Sequence, residues 1–219
     1  MSDLARYIDH TLLRPEATEA EVRKLVEEAA EHGFASVCIP PVYVPLAAEI
    51  LRGTPVAVGT VVGFPLGYVH PSVRRSESFQ AVTEGARELD TVLNLSLLKS
   101  SEDRRVLEDL LGWVKFMRQV RGGLILKVIL ETCLLTDEEK VRAARLTLES
   151  GADFVKTSTG FSKGGATVED VALLARTVGG KIGVKASGGI RDAATARAMI
   201  AAGATRLGTS SGVGIVREG

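Results

Sequence analysis

Two lysines sit inside apolar runs, where a charged side chain loses its hydration and lysine is rare. Lys156 lies in Gly151-Ala-Asp-Phe-Val-Lys-Thr-Ser-Thr-Gly160, and Lys185 lies in Lys181-Ile-Gly-Val-Lys-Ala-Ser-Gly-Gly189. If both runs are strands and neighbours, the two ammonium groups oppose each other. Such a pair relaxes by lowering a pKa from its reference of about 10.4, and the neutral amine is a nucleophile able to form a Schiff base with a carbonyl. The plainer reading is an interior lysine paired with a carboxylate. That reading is the stronger for either lysine alone, and the weaker for two on adjacent strands that both run into glycine loops.

Carboxylates lie in similar runs. In Glu88-Leu-Asp-Thr-Val-Leu-Asn94, strand alternation puts Asp90 on one face with Val92 and Asn94. Beside a cation, Asp90 is able to shuttle protons, or it serves only as counter-ion to Lys185. Asp9, in Tyr7-Ile-Asp-His-Thr-Leu-Leu13, is expected to orient other groups. Lys127 and Glu131 share a strand face and are expected to form an interior ion pair lining the site. Two loops suit an anion: Gly188-Gly189-Ile190-Arg191 and Gly208-Thr209-Ser210-Ser211-Gly212. Their glycines let backbone N–H groups approach closely, and their serines add hydroxyl donors.

These residues need a scaffold that aims strand ends at one place. The runs Ala5–Leu12, Phe34–Ile39, Val56–Gly63, Leu89–Asn94, Leu124–Glu131, Asp153–Thr157, Lys181–Ala186 and Thr205–Thr209 are predicted strands. Helix signals fall between them. Thr18 with Glu21 and Thr136 with Glu139 read as capping boxes, Thr167 and Asp192 open further helices, Pro71 suits a first turn, and Gly33 and Gly179 suit C-terminal caps. A longer helix is expected to bury Leu107, Leu110, Leu111, Val114 and Met117. Eight strands alternating with helices predict an α/β fold, a single (β/α)8 TIM barrel spanning 1–219 with a very short C-terminal helix from Gly212. An open doubly wound sheet is the alternative, but no glycine-rich first turn supports it. In a barrel, active sites form at the C-terminal strand ends, and phosphate binds in the loops after strands seven and eight.

With 27 basic and 27 acidic residues the net charge is zero, which argues against a nucleic-acid partner. No run approaches the roughly 18 apolar residues of a membrane span, so no membrane partner is expected. The charged segment from Met1 to Asp9 lacks the apolar centre of a secretory signal, which leaves the cytoplasm as the default location. Cys38 and Cys133 are expected to be buried thiols. His10, His32 and His70 show no ligand spacing, so no metal is expected.

The segments Ile8-Asp-His-Thr-Leu-Leu13, Val62-Gly-Phe-Pro-Leu-Gly67, Glu88-Leu-Asp90, Leu126-Lys-Val-Ile-Leu-Glu-Thr132, Asp153-Phe-Val-Lys-Thr-Ser-Thr-Gly160, Lys185-Ala-Ser-Gly-Gly-Ile-Arg191 and Gly208-Thr-Ser-Ser211 resemble the deoxyribose-phosphate aldolase family along nearly the whole chain. The resemblance implies a class I aldolase that reversibly cleaves 2-deoxy-D-ribose 5-phosphate to acetaldehyde and D-glyceraldehyde 3-phosphate. It implies a Schiff base on Lys156, with Lys185 lowering its pKa and Asp90 relaying protons. It further implies phosphate binding by Gly160, Gly188, Gly189, Arg191, Gly208, Ser210 and Ser211. From their strand positions Asp9 and Lys127 are expected to contact substrate, and no cofactor is expected. The expected partners are phosphosugar and aldehyde substrates and further copies of the chain, in a dimer or tetramer. Rival readings are another phosphosugar enzyme on this barrel (an isomerase or a transaldolase-like enzyme) and a non-catalytic sugar-phosphate-binding protein. The chain departs from the family at Pro40-Pro41, where members often have Asn-Pro, and at Phe161, where some have a phosphate-binding lysine that Lys163 is expected to replace. It ends at Gly219 without the terminal tyrosine that assists proton transfer in some members.

Overall fold

The computed structural model describes residues 3–219. Eight parallel strands close in sequence order: β1 (Ile8–Thr11), β2 (Ser36–Ile39), β3 (Ala57–Val62), β4 (Glu88–Val92), β5 (Ile125–Ile129), β6 (Phe154–Lys156), β7 (Gly183–Ser187) and β8 (Arg206–Thr209), with β8 pairing back onto β1. The helices are α1 (Glu19–His32), α2 (Val44–Ile50), α3 (Pro71–Thr83), α4 (Leu95–Lys99), α5 (Asp103–Val120), α6 (Asp137–Glu149), α7 (Val168–Val178), α8 (Ala193–Ala201) and α9 (Gly212–Glu218).

Both predicted capping boxes form, with the Thr18 and Thr136 hydroxyls accepting from the N–H groups of Glu21 and Glu139. Thr167 and Asp192 cap α7 and α8 in the same way. Gly33 and Gly179 take the left-handed conformation that ends α1 and α7. Two expectations need correction. Residues Ala5–Tyr7 form a 3-10 turn, so β1 starts only at Ile8. The buried stripe of α5 is Val106, Leu110, Trp113, Val114 and Met117, while Leu111 is exposed. The stripe therefore runs along the 106/110/113/117 row, which carries the large Trp113; its indole N–H donates to the Ser78 hydroxyl of α3 at 2.9 Å. The short helices α2 and α4 lie outside the helix signals of the sequence.

Side-chain alternation splits the strands between two environments. Outward residues such as Val37, Leu89, Leu126, Val155, Val184 and Leu207 join the helix faces in one apolar cluster. Burying each of these larger aliphatic side chains contributes about 1.5–3 kcal/mol. The opposite face holds charged groups that are equally buried: Asp9, Glu88, Asp90, Lys127, Lys156 and Lys185 are each no more than 2% exposed. Gly183 makes room for Phe154, since a Cβ there would lie 2.2 Å from the aromatic ring. The outer layer holds the barrel together, and the inner one carries groups that can do chemistry.

Candidate active site

The register of β6 and β7 sets Lys156 directly beside Lys185. Their ammonium groups share one acceptor: Asp90 Oδ2 lies 2.7 Å from Lys156 Nζ and 2.8 Å from Lys185 Nζ. The register of β4 and β5 sets Asp90 beside Lys127, whose Nζ reaches Asp90 Oδ1 at 2.9 Å. One carboxylate thus serves three lysines. Lys185 Nζ also lies 2.5 Å from Asp9 Oδ2.

The two neighbouring lysines are driven apart electrostatically. Burial strips the hydration from charged Lys156, Asp90 only partly offsets that, Lys185 adds repulsion, and the pKa of Lys156 falls below that of an ordinary lysine. Burial opposes the charge on Lys185 as well, but Asp9 and Asp90 together outweigh it and raise its pKa. Asp90 is held well below the usual carboxylate range, because Lys127, Lys156 and Lys185 overcome the cost of burying its charge. The arrangement therefore sets a lysine whose ammonium form is disfavoured, a lysine whose ammonium form is favoured and an ionised carboxylate within hydrogen-bonding distance of one another.

A cavity of about 390 Å³ opens above this cluster at the C-terminal strand ends. Of the three interior lysines, only Lys156 lines it. Gly160, Gly188, Gly189, Arg191, Gly208 and Ser210 line its other side. Gly188 has φ +87°, and a Cβ there would come within 2.9 Å of Gly165 Cα, so the tight approach of these two loops needs glycine. Ser211 stands just outside, its N–H donating to the Thr209 hydroxyl at 2.9 Å.

Several expected residues are placed differently. Asp9 and Lys127 lie beneath the cavity and do not line it, because they come from lower positions on β1 and β5. Lys127 makes no pair with Glu131; it binds Glu88 and Asp90 instead. Glu131 lies two residues beyond the end of β5, in a left-handed conformation with φ 44°, and accepts the Thr159 hydroxyl. Lys163 is exposed and outside the cavity lining, while Phe161 lines it and meets Phe64 edge-on at 5.3 Å between ring centres. Cys38 is buried, but Cys133 is only partly so, with its Sγ 3.5 Å from the Ser162 hydroxyl oxygen.

Two interior residues carried no assignment from the sequence. Arg206 and Glu88 meet each other and hold Asp9 and Lys127. Alternation carried the signal for both, since Glu88 lies two residues before Asp90 and Arg206 two before Gly208.

Comparison with known proteins gives a consistent result. Residues 4–218 match the sequence model of the DeoC/LacD family aldolase. A deoxyribose-phosphate aldolase of Brevibacillus brevis is 55% identical over 214 residues, covering 98% of this chain and 95% of that relative. Another, from Caldanaerobacter subterraneus, is 55% identical over 218 residues, covering 100% and 94%. Among solved structures, the aldolase QR15 superposes with a TM-score of 0.92 at 44% identity, covering 100% of this chain and 96% of its own. The tetrameric deoxyribose phosphate aldolase of Aeropyrum pernix gives 0.91 at 39% identity, covering 98% and 90%.

Proposed function

From the premise that the chain belongs to the DeoC/LacD family of aldolases, we propose that it cleaves 2-deoxy-D-ribose 5-phosphate reversibly through a Schiff base on Lys156. The observation that carries this reading is the contrast between two adjacent lysines: Lys156 lines the cavity with a lowered pKa, and Lys185 lies beneath it with a raised one.

The neutral Lys156 amine attacks the C1 aldehyde of the open-chain sugar. The carbinolamine then loses water to give an iminium, which is the electron sink the reaction needs. Removing the proton from the C3 hydroxyl breaks the C2–C3 bond. Its electrons pass to the iminium to form an enamine, and D-glyceraldehyde 3-phosphate leaves. Protonation of the enamine at C2 and hydrolysis then release acetaldehyde and restore the amine. Asp90, touching both lysines, is placed to carry protons between Lys156 and Lys185. Backbone N–H groups of Gly188, Gly189 and Gly208, with Arg191 and Ser210, suit the phosphate end. Of the rival readings, an isomerase and a simple binding protein have no use for a neutral lysine at the cavity wall, and the relatives do not favour a transaldolase-like enzyme.

The tetrameric Aeropyrum relative supports a homo-oligomer here, to be measured by light scattering. No described helix is long and apolar enough to cross a membrane; a cytoplasmic location goes with the reading. The decisive experiment is borohydride reduction in the presence of acetaldehyde, followed by peptide mass mapping. An N-ethyl group on Lys156, absent from Lys156→Ala, is the expected result. No adduct, or one on another lysine, sinks the assignment.

A further inference from the structure

Six charged side chains close into a ring beneath the cavity. Arg206 Nη1 lies 2.6 Å from Asp9 Oδ1, and Asp9 Oδ2 lies 2.5 Å from Lys185 Nζ. Lys185 Nζ lies 2.8 Å from Asp90 Oδ2, and Asp90 Oδ1 lies 2.9 Å from Lys127 Nζ. Lys127 Nζ lies 2.5 Å from Glu88 Oε2, which returns to Arg206 Nη1 at 3.0 Å. The sign alternates at every step, Lys127 Nζ also lies 3.6 Å across the ring from Asp9 Oδ2, and the ring as a whole is neutral.

Lys156 hangs from this ring at one atom, Asp90 Oδ2, and has no carboxylate of its own. Asp90 from β4, Lys185 from β7 and Cys38 from β2 act on it directly. Burial pushes the Cys38 thiol up, which leaves it uncharged. Lys127, Asp9, Arg206 and Glu88 carry the other charges of the ring, and Arg14 and Arg191 line the cavity above it. Protonating Lys156 would add a seventh, unmatched charge to an interior where screening by water and salt is weak. Arg206 is further fixed by the Phe154 ring, 5.5 Å from its guanidinium carbon.

We propose that Arg206 and Glu88, on the side of the ring away from Lys156, are positioning residues for the aldol reaction: they keep the ring neutral and so leave Lys156 sharing Asp90 with the ring, with no carboxylate to itself. This rests on the Schiff-base reading given above. Neither residue lines the cavity, so neither is available to bind substrate there.

The charges make opposite predictions for the two residues. Arg206→Met leaves the ring with one excess negative charge, which favours the ammonium form of Lys156. Glu88→Gln leaves one excess positive charge, which favours the amine. The readout is the pH dependence of borohydride trapping of acetaldehyde on Lys156, together with that of kcat/KM for cleavage. The limb that rises with pH should move up by about half a pH unit or more in Arg206→Met, and down by a similar amount in Glu88→Gln. It should return toward the wild-type position in the double variant and stay there in Arg206→Lys. A merely structural role moves both single variants alike, or lowers the rate without moving the limb, and either result overturns the inference. If Arg206→Met fails to fold, the required acid shift of Glu88→Gln and its reversal in the double variant still decide the matter. Absence of any adduct in the wild-type protein would instead defeat the Schiff-base reading itself.

Discussion

Lys156 and Lys185 stand opposite each other in the β6–β7 register and donate to the same oxygen of Asp90, yet burial and neighbouring charge push their pKa values in opposite directions. Two chemically identical side chains on adjacent strands thereby acquire opposite pKa shifts. The difference lies in Asp9, which is 2.5 Å from Lys185 and is the largest of the charges that raise its pKa, whereas Asp90 is the only carboxylate in contact with Lys156.

Lys185→Leu tests that asymmetry. It removes a cation beside Lys156 while keeping the site apolar, and it leaves Asp9 and Asp90 with one fewer counter-charge. Both effects raise the pKa of Lys156, so less free amine exists at neutral pH. The rate at pH 7 should fall at least about tenfold, since one pKa unit corresponds to a factor of ten in the amine fraction. The rising limb of the pH–rate profile should move to higher pH, with partial recovery there. A profile that loses height without moving would assign Lys185 another task, such as holding Asp90 in place.

The carboxylates make a prediction about stability. Asp9 and Asp90 both have folded-state pKa values depressed below the usual range, because the lysines and Arg206 outweigh the cost of burial. Their ionised forms therefore contribute stability that is complete above the unfolded carboxylate pKa, about 3.9, and is lost as the pH falls toward the folded values. Urea midpoints measured from pH 7 to pH 2 should be nearly flat above about pH 5 and drop steeply below about pH 4. Asp9→Asn should start from a lower midpoint and lose it less steeply. An equally steep decline in that variant would place the acid sensitivity elsewhere.

Gly188→Ala separates phosphate binding from carbonyl chemistry. A Cβ at this position meets the Gly165 backbone at 2.9 Å and forces a residue with a side chain to φ +87°, so the loop must shift. KM for the phosphorylated sugar should rise about tenfold, which corresponds to about 1.4 kcal/mol of lost binding. Trapping of acetaldehyde, which carries no phosphate, should proceed at the wild-type rate. Equal losses in both measurements would show that the loop supports the lysines rather than the anion.

Arg74 offers a stability test away from the chemistry. Fully buried on α3, it binds Asp109 of α5 at 2.8 Å and the Gly67 carbonyl at 3.1 Å. Arg74→Met leaves Asp109, itself nearly buried, without its partner, and should cost about 3–5 kcal/mol in denaturant unfolding. Arg74→Met combined with Asp109→Leu should recover much of that loss. If the double variant is no better than the single, packing rather than the ion pair is what matters.

How much of this was legible before folding depends on the range over which each feature is specified. Capping boxes at Thr18 and Thr136, strand alternation around Lys156 and Asp90, and the glycine loops after β7 and β8 are local patterns, written within a few residues. They sufficed for the barrel, for the neighbouring lysines and for the glycine loops that line the cavity. Patterns of the same length misplaced Leu111, which lies on the exposed side of α5, and paired Lys127 with Glu131 along one strand. In the barrel Lys127 instead reaches across to β4, and Glu131 turns toward the loop after β6.

What the amino-acid sequence determined by itself was the kind of chemistry: two lysines and a carboxylate buried at strand ends, beneath loops able to hold an anion. How far burial and neighbouring charge pull the two lysines apart was decided only by tertiary structure. Asp9 and Arg206 lie 197 residues apart, and Glu88 and Arg206 lie 118 apart, yet closure of β8 onto β1 brings all three into contact. A pKa depends on distances of a few ångströms between charges in a medium that screens them weakly. Sequence spacing carries no measure of those distances, because the register that sets them exists only once the barrel has closed.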